Sequence, residues 1–321
     1  MADQITVTLP DGSSRELPSG STGADLAASI GRGLAKAAVA TEVDGNEIDL
    51  GRQLPDGANV SVITDSSEAG RHVLRHSTAH VLAQAVTDLW PGAKYAIGPP
   101  IEDGFYYDFE LPGGAHFSDD DLEKIEQRMR EIIKENQPFV REEHTVKEGL
   151  QIFADQPYKR EIIEAVDPAD AEEGVTGNAV SAYRNNDKFI DLCRGPHVPS
   201  TGRLGHFKLM KVAAAYWRGD EKRPQLQRIY GTAWESEAAL KDHLHRLEEA
   251  EKRDHRRLGA ELDLFHFPPE IGGGLPVFHP KGGLIRKVME DYSRAEHEKA
   301  GYQFVWTPHL AKSTLYETSG H

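Results

Sequence analysis

Over residues 5–64 short strand-like runs are cut by Asp-Gly pairs and interrupted once by a helical spacing. Ile5-Thr6-Val7-Thr8-Leu9 alternates with period two, and Asp11-Gly12 is a strong hairpin turn. Thr22 can cap a helix that carries Leu26, Ala27, Ile30 and Leu34 on its apolar face. Further strands are expected at 38–43, broken by Asp44-Gly45, and at 60–63. Hairpin, helix and short strands in that order predict a β-grasp module, a small sheet laid over one helix. The polar stretch 65–70 reads as a linker.

Beyond it the periodicity changes. Residues 71–89 are helical in pattern, and Pro91 closes the run. A second helix is expected over 119–136, with Ser118 as N-cap, Asp121 three residues on, and Leu122, Ile125, Met129 and Ile132 on its buried face. Strand-like runs at 105–109, 188–191, 206–217 and 225–230 complete an α+β domain. Residues 235–258 read as one charged connector helix with Leu240, Leu244 and Leu247 toward a partner. After Leu262 come a helix near 283–300 and a strand at 302–306 leading into Pro308, too little chain to close a domain, so a truncated third domain is expected. Gly272-Gly273-Gly274 lacks the Gly-Lys-Ser/Thr of a phosphate loop and reads as a flexible loop.

At 321 residues the chain has room for two or three domains. Hydrophobic residues at 38% and charged residues at 28% describe a folded, water-soluble chain. No apolar run approaches the ~18 residues that suggest a membrane span, and the N-terminus lacks a signal-peptide pattern, which together predict a cytoplasmic protein with no membrane partner. The single cysteine excludes an internal disulfide and fits a reducing compartment. A net charge of −15 argues against nucleic-acid binding by overall charge, while leaving room for a local basic groove. Arg218, Lys222 and Arg223 are candidates for one; the basic run at 252–257 is explained as well by a solvated helix face.

Two segments carry chemistry. His76 and His80 lie one helical turn apart on one face, with His72 a turn earlier. Far downstream stands Asp191-Leu192-Cys193-Arg194-Gly195-Pro196-His197, where the Gly-Pro step forbids regular helix and a tight turn must bring thiol and imidazole to one side. A thiol and three imidazoles are the ligand types of tetrahedral zinc. Spacing leaves three readings open: structural zinc, catalytic zinc, or a metal-free hydrolytic site in which neutral imidazole deprotonates or orients water. A zinc metallopeptidase is disfavoured, because Ser77 stands where the glutamate of His-Glu-x-x-His would be.

These motifs resemble the editing domain of the threonyl-tRNA synthetase family, shared in related form with alanyl-tRNA editing proteins. Flanking segments extend the likeness: Ile97-Gly98-Pro99, Gly104-Phe105-Tyr106-Tyr107-Asp108, His206-Phe207-Lys208-Leu209-Met210-Lys211, Ala215-Tyr216-Trp217-Arg218-Gly219-Asp220, and Gln227-Arg228-Ile229-Tyr230-Gly231-Thr232-Ala233-Trp234. It covers essentially the whole chain and implies an α+β multidomain protein. The implied divisions are a β-grasp (TGS-like) domain over 1–65, an aminoacyl-tRNA deacylase domain over 66–234, a connector helix over 235–260, and over 261–321 the start of a class II antiparallel-sheet catalytic domain with its motif 1 proline at Pro308.

The resemblance implies hydrolysis of mischarged seryl-tRNA(Thr). By motif match, His76 and His80 line the pocket, with His76 as proton acceptor, and Cys193 and His197 complete its wall. Asp191 would accept from the serine amino group, Lys159 would stabilise the oxyanion, and Tyr107 would stack on the terminal adenine. His72 has no place in the family pattern and reads as solvated. Alanyl relatives point to zinc at His76, His80, Cys193 and His197 and threonyl relatives to a metal-free site, which is the favoured reading. The family's full-length enzyme uses ATP, magnesium and one catalytic-domain zinc, binds tRNA(Thr), and dimerises around motif 1. Motifs 2 and 3 and the threonine-reading zinc site have no counterpart up to His321, so ligation by this chain is not expected. A non-catalytic RNA-binding or regulatory fragment is the alternative.

Overall fold

The structure is a computed structural model that describes residues 4–165, 174–177, 179–308 and 311–320. It forms two compact units, Met1–His243 and Leu244–His321.

The first unit opens with the antiparallel hairpin β1 (Gln4–Thr8) and β2 (Ser14–Pro18), turned at Gly12, whose φ of 81° is in the left-handed region. Helix α1 (Gly23–Ile30) begins at a capping box in which Thr22 and Asp25 exchange hydrogen bonds, and α2 (Arg32–Ala37) follows Gly31. Strands β3 (Ala38–Val43), β4 (Asn46–Asp49) and β5 (Val60–Thr64) form a sheet of order β4-β3-β5. Val7, Leu17, Leu26, Leu54 and Val60 fill its core.

Helix α3 (Glu68–Leu89) starts earlier than the sequence suggests, so the last three residues of the expected linker are its first turn. Ser67 supplies the cap, its Oγ accepting from the Gly70 N–H at 3.0 Å, and Glu68 complements the positive helix end. Gly70 lets the turn lie on the end of β5: a Cβ there would stand 1.8 Å from the Thr64 carbonyl oxygen.

There follow β6 (Lys94–Tyr95), β7 (Pro100–Ile101), β8 (Gly104–Glu110), α4 (Asp119–Glu135), β9 (Val140–Thr145), α5 (Val146–Ile152) and α6 (Pro157–Ala165). Then come β10 (Val175–Thr176), β11 (Ala179–Asn186), β12 (Phe189–Leu192), β13 (His206–Tyr216) and β14 (Gln225–Trp234). One sheet runs β13-β14-β8-β6 with β7 added to β8, and α3 and α4 lie against it. Helix α4 has the expected Ser118–Asp121 capping box, and its Ile125, Met129 and Ile132 are fully buried. The second sheet is centred on β11, which pairs antiparallel with β9, β10 and β12. Strands β9 and β11 and helices α5 and α6 are absent from the sequence reading.

The expected single connector helix is two. Helix α7 (Glu237–Lys252) stops, and Asp254 caps α8 (His255–Glu261) by accepting from the Arg256 N–H, because its carboxylate competes with the helix ladder for backbone donors. The basic run at 252–257 is paired locally, Lys252 with Glu248, Arg253 with Glu249 and Arg257 with Glu261.

In the second unit β15 (Phe265–His266) pairs with β16 (Val277–Phe278), and Gly272–Gly274 lie in the loop between them; α9 (Pro280–Lys299) and α10 (Ser313–Ser319) follow. The strand expected at 302–306 does not form. It has no ladder partner among the described residues, without which an extended segment gains no regular hydrogen bonds, and Val305 and Trp306 are 84% and 94% exposed. No described helix is long and apolar enough to cross a membrane.

Candidate active site

Three elements of the first unit converge on one buried cavity. Helix α3 presents His76 and His80 at its middle, where residues 77–86 are all buried and the helix has no solvent face. Strand β12 carries Asp191 near its end and runs into Cys193, and α6 sends in Lys159. The cavity between them is lined by His76, His80, Gly98, Pro99, Tyr107, Lys159, Asp191, Leu192 and Cys193, with room for water-sized occupants of about 20 Å³. A wider groove of about 360 Å³ shares His76 with it and is also lined by Gly45–Glu47, His72, Pro100 and 194–196. His72 is exposed on that groove, which fits the expected solvated role.

The hydrogen-bond directions assign the protons. Ser77 Oγ donates to the Val73 carbonyl at 2.8 Å and accepts from the Val198 N–H at 3.1 Å. Its contact with His197 Nδ1 at 3.0 Å therefore requires the hydrogen on that nitrogen. His197 Nε2 is then bare and accepts from the Cys193 thiol at 3.3 Å. The sulfur in turn accepts from the Gly195 N–H at 3.2 Å and from His76 Nε2 at 3.2 Å. That leaves His76 Nδ1 without a hydrogen, on a half-buried ring at the mouth of the cavity.

Asp191 is the other centre. Its Oδ2 accepts from the Tyr107 hydroxyl at 2.5 Å and lies 3.6 Å from His80 Nε2. Its Oδ1 meets Lys159 Nζ at 2.8 Å, off the hydrogen-bonding direction, so this contact is a charge pair between two side chains each 1% exposed. Burial lowers the pKa of all three site imidazoles. His80 is held at about 3, by desolvation first and the Lys159 charge second; His76 and His197 lie well below the usual histidine value, by desolvation and then by their neighbouring imidazoles. All three are neutral at pH 7, the state in which imidazole can take a proton.

The structure thus brings together His76, His80, Cys193, His197, Lys159 and Asp191. The adenine platform expected at Tyr107 is not available: the ring is fully buried, Phe109 stacks on it at 5.1 Å, and a Cβ on Gly98 would stand 2.1 Å from it. Its hydroxyl orients Asp191 instead. Of the basic groove candidates, Arg218 and Arg223 both pair with Glu161. The sequence reading missed Ser77 except as a missing glutamate, Phe139, which stacks on the His197 ring at 4.8 Å, and Tyr183, which meets it edge-on at 4.5 Å. It also missed Asp49, which accepts from the His197 N–H. Periodicity gives no sign of contacts so distant in sequence.

The ligand atoms of His76, His80, Cys193 and His197 all lie within 4.8 Å of one another, and His80 Nδ1 is buried with no hydrogen-bond partner among the described residues. The donor set fits a zinc ion. Such an ion would have four protein ligands, the closed coordination of structural zinc, whereas catalytic zinc keeps a position open for water.

Residues 5–64 match the TGS domain family, and residues 180–230 match the threonyl and alanyl tRNA synthetase second additional domain. Over 99% of the chain the sequence is 53% identical to the threonine–tRNA ligase of Thermobifida fusca and 50% identical to that of Citrifermentans bemidjiense, and in each case the match covers 49% of the relative. The threonine–tRNA ligase of Streptomyces coelicolor is 51% identical over 96% of the chain and 47% of its own length. The chain belongs to the threonyl-tRNA synthetase family. It spans about half the length of the curated relatives it matches, and aligns with their N-terminal half. Both matched segments lie in the first unit: the TGS segment holds Asp49, and the second-additional-domain segment holds Asp191, Cys193 and His197.

Proposed function

We propose that the cavity hydrolyses the ester of seryl-tRNA(Thr), the mischarged product of a threonine–tRNA ligase whose ATP-dependent ligation uses residues outside this chain. The observation that carries the reading is the joining of a hydrogen-free imidazole nitrogen at His76 with the buried Lys159–Asp191 pair in one cavity. His76 Nδ1 takes the proton from water, directly or through the vicinal ribose hydroxyl, as the water oxygen adds to the ester carbonyl; the proton passes to the departing ribose oxygen as the ester C–O bond breaks, giving free serine and the tRNA hydroxyl. The Lys159 ammonium stabilises the oxyanion in a water-poor site, where a fixed charge counts for more than in solvent. Asp191 accepts from the serine ammonium. Cys193 and His197 hold His76 in its tautomer.

Such a second site is needed because one missing methylene is worth only ~1–3 kcal/mol of discrimination in a synthetic pocket. Here the logic is reversed: a closely walled site that admits the serine side chain crowds out the additional methyl of threonine. No metal is required in this scheme, since Lys159 supplies the positive charge. The partner is tRNA(Thr), its acceptor end entering by the groove beside His76, in the cytoplasm. Two copies associate around Pro308.

Hydrolysis of seryl-tRNA(Thr) and threonyl-tRNA(Thr) by the purified chain, with and without chelator, tests the proposal. Selective loss of the seryl ester that survives chelation is expected, and His76→Ala is expected to lower the rate about 10²- to 10⁴-fold. Activity restored only by zinc would overturn the metal-free scheme, and equal treatment of both esters would overturn the editing assignment.

A further inference from the structure

Asp49 ends strand β4, within the TGS segment and 148 residues before His197. Its carboxylate leaves its own small sheet. Oδ1 accepts from the His197 backbone N–H at 2.9 Å, and Oδ2 accepts from the Tyr183 hydroxyl at 2.7 Å. Tyr183 sits edge-on to the His197 ring, 4.5 Å between centroids, and its hydroxyl fills the space a side chain on Gly195 would need, 2.0 Å from an ideal Cβ. One carboxylate therefore fixes both the backbone of His197 and the ring that abuts its imidazole. Burial pushes the Asp49 pKa up while those two donors hold it down, the balance of a carboxylate kept in place by its partners. Close by, the β3–β4 turn at Gly45–Glu47 forms one wall of the groove that leads to His76.

We propose that Asp49 is a positioning residue for the Cys193–His197 wall, so that the β-grasp segment is a structural part of the hydrolytic site and not a separate RNA-binding attachment. The inference rests on the hydrolytic reading above, and it adds to that reading a residue from another sheet. The expected consequence is specific: without Asp49 the His197 backbone and Tyr183 relax, Cys193 loses its fixed acceptor at His197 Nε2, and His76 loses its orientation.

The test uses the full chain with Asp49→Ala, Asp49→Asn and Tyr183→Phe. Asn keeps a carbonyl oxygen for the His197 N–H. For seryl-tRNA(Thr) hydrolysis, Asp49→Ala should lower kcat tenfold or more with KM little changed, since small misplacements of reacting groups are costly. Asp49→Asn should recover most of that loss, and Tyr183→Phe should add nothing in the Asp49→Ala background. A second readout needs no tRNA. Cys193 is the chain's only cysteine, so its alkylation rate by iodoacetamide reports the wall alone; it should rise in Asp49→Ala and return toward the unaltered rate in Asp49→Asn.

Unchanged kcat and unchanged alkylation in Asp49→Ala would overturn the inference. So would equal losses in the Ala and Asn variants that track their melting temperatures, which is the signature of plain destabilisation. If Asp49→Ala does not fold, the Asn and Tyr183→Phe variants carry the same comparison. A chain with no hydrolysis but with the alkylation response intact would remove the functional reading and leave the positioning role standing.

Discussion

Because the Ser77 hydroxyl gives its hydrogen to a helix carbonyl, the proton order of the whole thiol–imidazole group follows from one residue, and its titration follows from burial. In the folded chain His80 is held at about 3 and His76 and His197 well below their usual value. A histidine whose folded pKa is depressed takes up its proton on unfolding. Stability is therefore complete above the unfolded value of ~6.5 and declines as pH falls below it, by up to ~1.4 kcal/mol per pH unit for each group. Urea denaturation at pH 7.5 and 5.5 should differ by about 4 kcal/mol for three such groups; equal stabilities would mean that the rings are charged or solvated in the fold. The Lys159–Asp191 pair sets a second expectation. Lys159→Met leaves a carboxylate buried and uncompensated and should cost about 3–5 kcal/mol, whereas Lys159→Met with Asp191→Leu should cost much less. Equal losses in the two variants would show that the pair is not the unit that matters.

At the level of elements, the start of α3 depends on a residue without a side chain. Gly70→Ala would drive a methyl into the Thr64 carbonyl, and relief requires the helix to shift off β5. A loss of a few kcal/mol in thermal or urea melting is expected, the range of core overpacking, against the small gain that Ala gives at an ordinary helical position. What could be read in advance divides along similar lines. Helix α4 was legible because its capping box and its Ile125–Met129–Ile132 stripe agree. The His76–His80 and Cys193–His197 pairs were legible because each is local. Strand β11 was not: its Val180, Ser181, Ala182 and Tyr183 are buried in succession, so the alternation that marks a half-buried strand is missing. Tyr183 went unseen with it. Asp49 reads only as the polar end of a strand, since its two partners lie on other elements far along the chain. Tyr107 had the right neighbourhood and the wrong task, because sequence does not show that Phe109 and Gly98 enclose its ring.

For the molecule as a whole, the second unit leaves apolar side chains in water. Val305 and Trp306 are almost fully exposed, and Met289, Tyr292 and Phe304 are each more than half exposed. Apolar exposure on this scale favours association, so sedimentation should show concentration-dependent self-association that Trp306→Ser reduces; a strictly monomeric chain at high concentration would argue against it. The first unit has the opposite character, a closed arrangement in which one helix links two sheets. Helix α3 seats its first turn on β5 at Gly70 and delivers His76 and His80 to the cavity about two and about three turns further on. A helix advances about 100° per residue. One residue added or removed between Gly70 and His76 would swing both imidazoles through that angle, out of the cavity, while the capped start stayed where it is. Length in this stretch is therefore as constrained as residue identity, and insertions that leave the site intact belong in the exposed turn at Pro112–Gly114, where an added residue displaces only loop.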